Sequence, residues 1–78
     1  MASYSRSEQT LCKLLKDLRI ERKLTQTDLA NKVGEPQQVI SKIERGHRRL
    51  YATQLFDYVQ IGFGLRPTEF VQLYENAT

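Results

Sequence analysis

The chain is poor in the residues that staple, ligate and catalyse. It has one cysteine, one histidine and no tryptophan in 78 residues. A lone cysteine cannot form an intrachain disulfide, and one Cys with one His argues against a structural zinc site. The composition fits a reducing, intracellular setting. No apolar run is long enough to cross a bilayer. The N-terminal stretch MASYSRSEQT lacks the apolar core of a signal peptide. The expectation is a soluble, cytoplasmic protein without a membrane partner. Asp17, Glu21 and Asp28 form no catalytic pair. No Ser/His/Asp set, phosphate-cradling glycine loop or metal-ligand spacing is present, so the sequence points away from an enzyme and calls for no cofactor or metal. A chain of this length reads as one domain, 1–78, with a core from about 6 to 75. Its core is small, so it needs efficient packing or a partner.

What is present is unevenly distributed charge. Residues 1–49 carry 11 of the 12 Lys/Arg and 6 of the 9 Asp/Glu; residues 50–78 carry the remaining 1 and 3. The asymmetry fits a basic binding end and a mildly acidic packing or self-association end, although an ordinarily solvated surface fits the charges equally well.

No β-like alternation persists, and the apolar spacing predicts about five short helices. Ser5-Arg6-Ser7-Glu8 is a capping box that opens the first, and Leu11, Leu14, Leu15 and Leu18 form its stripe before it ends near Arg22 or Lys23. Thr25 caps the second, with Asp28 in its first turn; Leu29, Ala30 and Val33 face inward and Gly34 closes it. Pro36 suits the first turn of the third, a helix of about ten residues with Val39, Ile40 and Ile43 inward and Gly46 at its end. The fourth spans roughly Ala52 to Ile61 with Leu55, Phe56 and Val59 facing the core. The last starts near Pro67 and carries Phe70, Val71, Leu73 and Tyr74.

Two short helices joined by a tight glycine-containing turn, at Gly34-Glu35-Pro36, read as a helix-turn-helix. The second helix of that motif lays its N-terminal residues against base edges in the DNA major groove. Gln37 and Gln38 stand there. A glutamine amide matches the donor and acceptor of adenine, a pairing worth about 1–3 kcal/mol of discrimination. Lys42 lies one turn on from Gln38, within reach of a guanine or a phosphate. His47 reads as a loop residue near the DNA and Cys12 as a packing residue beside the first stripe.

The stretch from about Leu14 to Phe70 resembles the phage-repressor and Cro-like helix-turn-helix family, also called the Xre family. LRIERKLTQTDLANKVG is similar to its first two helices and QQVISKIERG to its recognition helix; RRL, LFDYVQIGFG and PTEF follow as its later helices do. The resemblance covers about three-quarters of the chain. It implies an all-α, compact five-helix, lambda-repressor-like DNA-binding domain, with the helix-turn-helix at helices two and three. It further implies a regulator that binds double-stranded DNA at a near-palindromic operator as a homodimer. By position, Gln37, Gln38 and Lys42 match base-reading residues, and Ser41 approaches either the backbone or a base edge. Gln26 matches a phosphate-gripping glutamine, and Arg45, Arg48 and Arg49 match phosphate contacts. Arg19 and Glu44 match a buried ion pair that ties helix one to helix three.

The sequence departs from the family pattern at Glu35-Pro36, where a hydroxyl cap is usual. Glu35 would either accept from a cytosine or repel phosphates. Tyr51 replaces a small cap of helix four, and would either pack on the loop or reach a phosphate. The late aromatic residues Phe56, Tyr58, Phe63, Phe70 and Tyr74 read by default as core, but a small domain cannot hide all of them, so Phe63, Phe70 and Tyr74 are candidates for a dimer surface. A possible protein partner, as in an antitoxin that regulates its own promoter, is the alternative reading. A restriction–modification controller is a third. No separate ligand-binding domain is evident, which argues against control by a small molecule.

Overall fold

The computed structural model describes residues 5–78; residues 1–4, part of the stretch read as lacking a signal-peptide core, lie outside the described residues. Five α-helices follow one another: α1 (Arg6–Glu21), α2 (Gln26–Val33), α3 (Gln37–Glu44), α4 (Ala52–Asp57) and α5 (Pro67–Ala77), with a π-helical turn, Tyr58–Gly62, continuing α4. No strand occurs among the described residues, and no helix is long and apolar enough to cross a membrane.

Local chemistry sets the helix starts. The Ser5 hydroxyl accepts from the Glu8 N–H and the Glu8 carboxylate accepts from the Ser5 N–H; Thr25 and Asp28 repeat the arrangement at α2. The bonds to Thr25 hold the Asp28 carboxyl below its ordinary range. The α2 cap therefore persists as pH falls until that carboxyl takes up its proton. At the end of α1 the Leu24 N–H reaches the Arg19 carbonyl and the Lys23 N–H the Ile20 carbonyl, at 3.1 and 2.9 Å. This closure normally uses glycine in the left-handed region; here Lys23 takes it, with φ 58°. Gly34 and Gly46 hold the expected left-handed positions after α2 and α3.

Leu15 and Leu18 of α1, Leu29 and Ala30 of α2, and Ile40 and Ile43 of α3 meet Tyr58, Val59, Phe63 and Phe70 in one core. Ile40 and Ile43 expose no surface. Each contributes about 1.5–3 kcal/mol relative to an exposed position, and together they pin the inner face of α3. Cys12 is buried at the edge of this core, where burial raises its thiol pKa.

Four expectations need correction. Pro36 is the cap preceding α3 rather than a residue of its first turn, because its extended ψ of 146° places the change of chain direction there; α3 has eight residues, not ten. Helix four does not run straight to Ile61. After Asp57 the turn widens, and the Phe63 N–H bonds the Tyr58 carbonyl at 2.9 Å, five residues back. Phe56 is about half exposed, on the flank of the face that Leu55, Tyr58 and Val59 turn inward. The Tyr58 hydroxyl is buried and meets no hydrogen-bond partner among the described residues; burial, with Glu35 nearby, keeps it protonated well above the usual phenol range.

The widened turn packs directly on α2. A Cβ added at Gly62 would lie 2.6 Å from Leu29 Cδ1 and 3.4 Å from Val33 Cγ1. Leu29 is itself 1% exposed and has little room to yield. Gly62→Ala is expected to lower stability by about 1–3 kcal/mol, read as the shift of the urea midpoint at constant slope.

Candidate nucleic-acid interface

The surface around α3 starts from a buried anchor. Arg19 Nε donates to Glu44 Oε2 at 2.6 Å and Arg19 Nη2 to Glu44 Oε1 at 3.0 Å, a two-pronged pair between α1 and α3. Arg19 Nη1 adds a bond to the Leu24 carbonyl at 2.8 Å. The side chains are 11% and 4% exposed, so both charges sit largely out of water. The bonds to Glu44 raise the Arg19 pKa further above its ordinary value, against an opposing effect of burial, so the guanidinium stays charged. The Arg19 and Glu44 expected to tie helix one to helix three are thus in contact.

From Glu44 the bonding continues outward. Gln26 Nε2 donates to Glu44 Oε1 at 3.0 Å, and Gln37 Nε2 donates to Gln26 Oε1 at 2.6 Å. Gln26, expected at a phosphate, is half-buried at the start of α2 between the ion pair and the tip of α3. Gln37, Gln38 and Lys42 are exposed on the face of α3 opposite Ile40 and Ile43, while Ser41 is half-buried. The eight-residue helix therefore has one side fixed in the core and presents its amide-rich tip to solvent.

The basic residues fall into two groups. Arg45 and Arg48 are exposed just beyond α3, with Arg45 Nε donating to the Ser41 carbonyl at 3.3 Å; His47 lies exposed between them. Arg49 instead pairs with Glu8 of α1 at 3.1 Å, which draws its guanidinium toward the N-terminal end of α1.

Glu35, for which the sequence left two roles open, is tied to α4. Gln54 Nε2 donates to Glu35 Oε2 at 3.1 Å while Gln54 Oε1 accepts from the Tyr51 N–H at 3.0 Å. One glutamine thus caps α4 and fastens the turn before α3. Its sequence signal was a Gln three residues after the cap position. Tyr51, 73% exposed, makes no side-chain cap. Arg22 was also missed as more than a helix end. Its Nε donates to the Phe63 carbonyl at 3.0 Å and its guanidinium lies 5.6 Å from the Phe63 ring centre.

Of the dimer candidates, Phe63 and Phe70 are 6% and 5% exposed and belong to the protomer's own core. Both rings pack in the core cluster with Leu15, Leu18, Tyr58 and Val59, so they are not surface residues. Tyr74 is half-buried, and its hydroxyl donates to the Ser7 carbonyl at 3.4 Å. The exposed apolar side chains nearby are Phe56 and Val71, 49% and 53% exposed. They line an almost wholly apolar groove of about 300 Å³ between α1, α4 and α5.

Fold and surface together define a helix-turn-helix protein whose α3 carries an exposed, amide-rich tip. A family model described as helix-turn-helix matches residues 15–59, more than half of the chain, and the chain belongs to that family. Its fold is similar to that of the wild-type restriction–modification controller protein C.Esp1396I, with a TM-score of 0.88, 27% identity and 95% of each chain covered. The tetramer of that controller in complex with its natural 35 base-pair operator is equally similar, at a TM-score of 0.88 and 27% identity over 95% of this chain and 96% of that one. No curated protein matches the chain.

Removing one half of the buried ion pair strands the other. Glu44→Ala is expected to cost about 3–5 kcal/mol in equilibrium unfolding, whereas the double variant Arg19→Met/Glu44→Leu recovers most of the loss. A single-variant cost below about 1 kcal/mol would show that the pair does not hold α3.

Proposed function

We propose that this chain is a sequence-specific transcription regulator that binds a near-palindromic operator as a homodimer, in the manner of a restriction–modification controller. The observation that carries this reading is the exposure of Gln37, Gln38 and Lys42 along the outer face of a helix whose inner face is anchored by Ile40, Ile43 and Glu44. A reading helix must be held rigidly while its outer groups stay available for base edges. Gln37 and Gln38 address bases, Lys42 a guanine or phosphate, and Ser41 the helix-tip backbone or a base edge. Arg45 and Arg48 supply phosphate contacts, whose counterion release provides most of the affinity. Arg49, engaged with Glu8, is a weaker candidate for such a contact.

Dimerisation would bring two reading helices about 34–36 Å apart, one turn of DNA. The surface that suits it is the apolar groove with Phe56 and Val71, on the part of the chain with fewest positive charges. The likeness to the controller, whose tetramer was crystallised on its operator, supports both DNA binding and self-association.

Selection from a random DNA pool at two salt concentrations tests the central claim. An enriched inverted repeat with half-sites about ten base pairs apart is expected; salt-sensitive binding without enrichment would reduce the protein to a basic surface. Against the selected site, Gln37→Ala and Gln38→Ala should each relax preference at individual base pairs by about 1–3 kcal/mol. Arg48→Ala should weaken binding to all sequences alike and reduce the salt dependence by about one counterion. Phe56→Glu is expected to yield a folded monomer in sedimentation with much weaker operator binding; an unchanged dimer would move the interface elsewhere.

A further inference from the structure

Arg45, Arg48 and Arg49 follow α3, and the last of them is already engaged by an acid. Arg45 and Arg48 pair with no carboxylate among the described residues, whereas Arg49 Nε lies 3.1 Å from Glu8 Oε2. Glu8, Arg48 and Arg49 all line a cleft of about 110 Å³ between α1 and the loop after α3, which places the carboxylate against the basic loop. An exposed ion pair ordinarily contributes little, because two long side chains must both be held still. Here one of them is held already. Glu8 Oε1 accepts from the Ser5 N–H at 3.0 Å, and the Glu8 N–H donates to the Ser5 hydroxyl at 3.2 Å. The capping box therefore fixes the carboxylate whether or not Arg49 is bound to it. The first turn of α1 also favours a negative charge at that place. The Glu8 side chain is 33% exposed and that of Arg49 67%, so the carboxylate is the stationary partner and the guanidinium the one that can leave.

We infer that Glu8 is an internal competitor for DNA phosphate: it withholds Arg49 from the duplex, so that a phosphate must displace a carboxylate before this arginine binds. The inference rests on the proposed function only in taking DNA as the partner. It needs no sequence preference, because a phosphate carries no base identity. Both competitors are oxygen anions that accept from the same N–H groups, so the exchange conserves charge-assisted hydrogen bonds and its net gain is small. An arginine neutralised by Glu8 also brings no net charge to the duplex. It releases a counterion from DNA only once the pair opens. Arg45 and Arg48, which face no such competitor, carry no such penalty. The pair thus lowers affinity for every sequence alike. The base contacts of α3 are left with a larger share of the total binding energy.

The test is a double-variant cycle on the purified full chain, titrated against a random-sequence duplex and the selected operator at two salt concentrations. Glu8→Gln keeps an oxygen for the Ser5 N–H and removes the charge. It is expected to tighten binding to both duplexes by the same factor, about threefold at low salt, with thermal unfolding little changed. The salt dependence should steepen by about one counterion. In an Arg49→Ala background the same change should have no effect. An equal gain in that background would trace the effect to bulk charge and overturn the inference. Unchanged binding overturns it as well, and weaker binding would show that Glu8 presents Arg49 to DNA instead of withholding it. Should selection yield no operator, the sequence-specific reading falls while the random duplex still decides this one; no binding to any duplex overturns both. A second measurement needs no variant. The Arg49 Nε–H resonance should be protected from exchange in the free protein and shift when the random duplex is added. A resonance that stays unmoved at saturation would show that Arg49 never leaves Glu8, and would also overturn the inference.

Discussion

The structure depends on one carboxylate and one guanidinium held almost out of water. Arg19 on α1 and Glu44 on α3 meet through two hydrogen bonds in a setting where neither charge could remain alone. Such a pair adds little net stability compared with well-packed apolar side chains. What it adds is register: only one placement of α3 against α1 satisfies both groups. The apolar contacts of Ile40 and Ile43 would tolerate small shifts of the helix, but the fork geometry of the guanidinium would not. The exposed tip of α3 inherits that definition through Gln26.

The ends of α3 are managed separately. At its start Glu35 is fastened to Gln54, which ties the turn to the first residues of α4. At its finish Gly46 takes a left-handed conformation and the chain leaves toward Arg48. A helix of eight residues has little intrinsic stability in water. Its persistence comes from tertiary contacts on three sides: the core beneath, the ion pair behind and the Gln54 tie in front.

Much of this was legible in the sequence, for identifiable reasons. Helix starts marked by Ser5 and Thr25 were readable because a capping box is a local, four-residue device. The contact of Arg19 with Glu44 came from a family resemblance, since no local rule links residues 25 apart. The π-helical turn was not readable, because Tyr58–Gly62 has the same apolar spacing as a plain helix and the widening answers to packing of Gly62 on Leu29. Phe63 and Phe70 read by default as core, yet stood as candidates for a dimer surface because a small domain cannot hide every aromatic. The core accommodates both, and leaves Phe56 outside instead. The role of Glu35 escaped for a similar reason: its partner Gln54 lies 19 residues on, beyond the reach of any pattern in the turn itself.

The bond between the Tyr74 hydroxyl and the Ser7 carbonyl spans 67 residues. It brings the beginning of α1 beside the end of α5, so the path of the described residues is nearly a closed loop. Such a loop can be joined there and opened elsewhere, for instance in the non-helical segment between Gly46 and Tyr51, without cutting a helix or removing a core residue. Two of these domains could also be fused in tandem through a short linker, converting an association that depends on concentration into one set by the linker's reach.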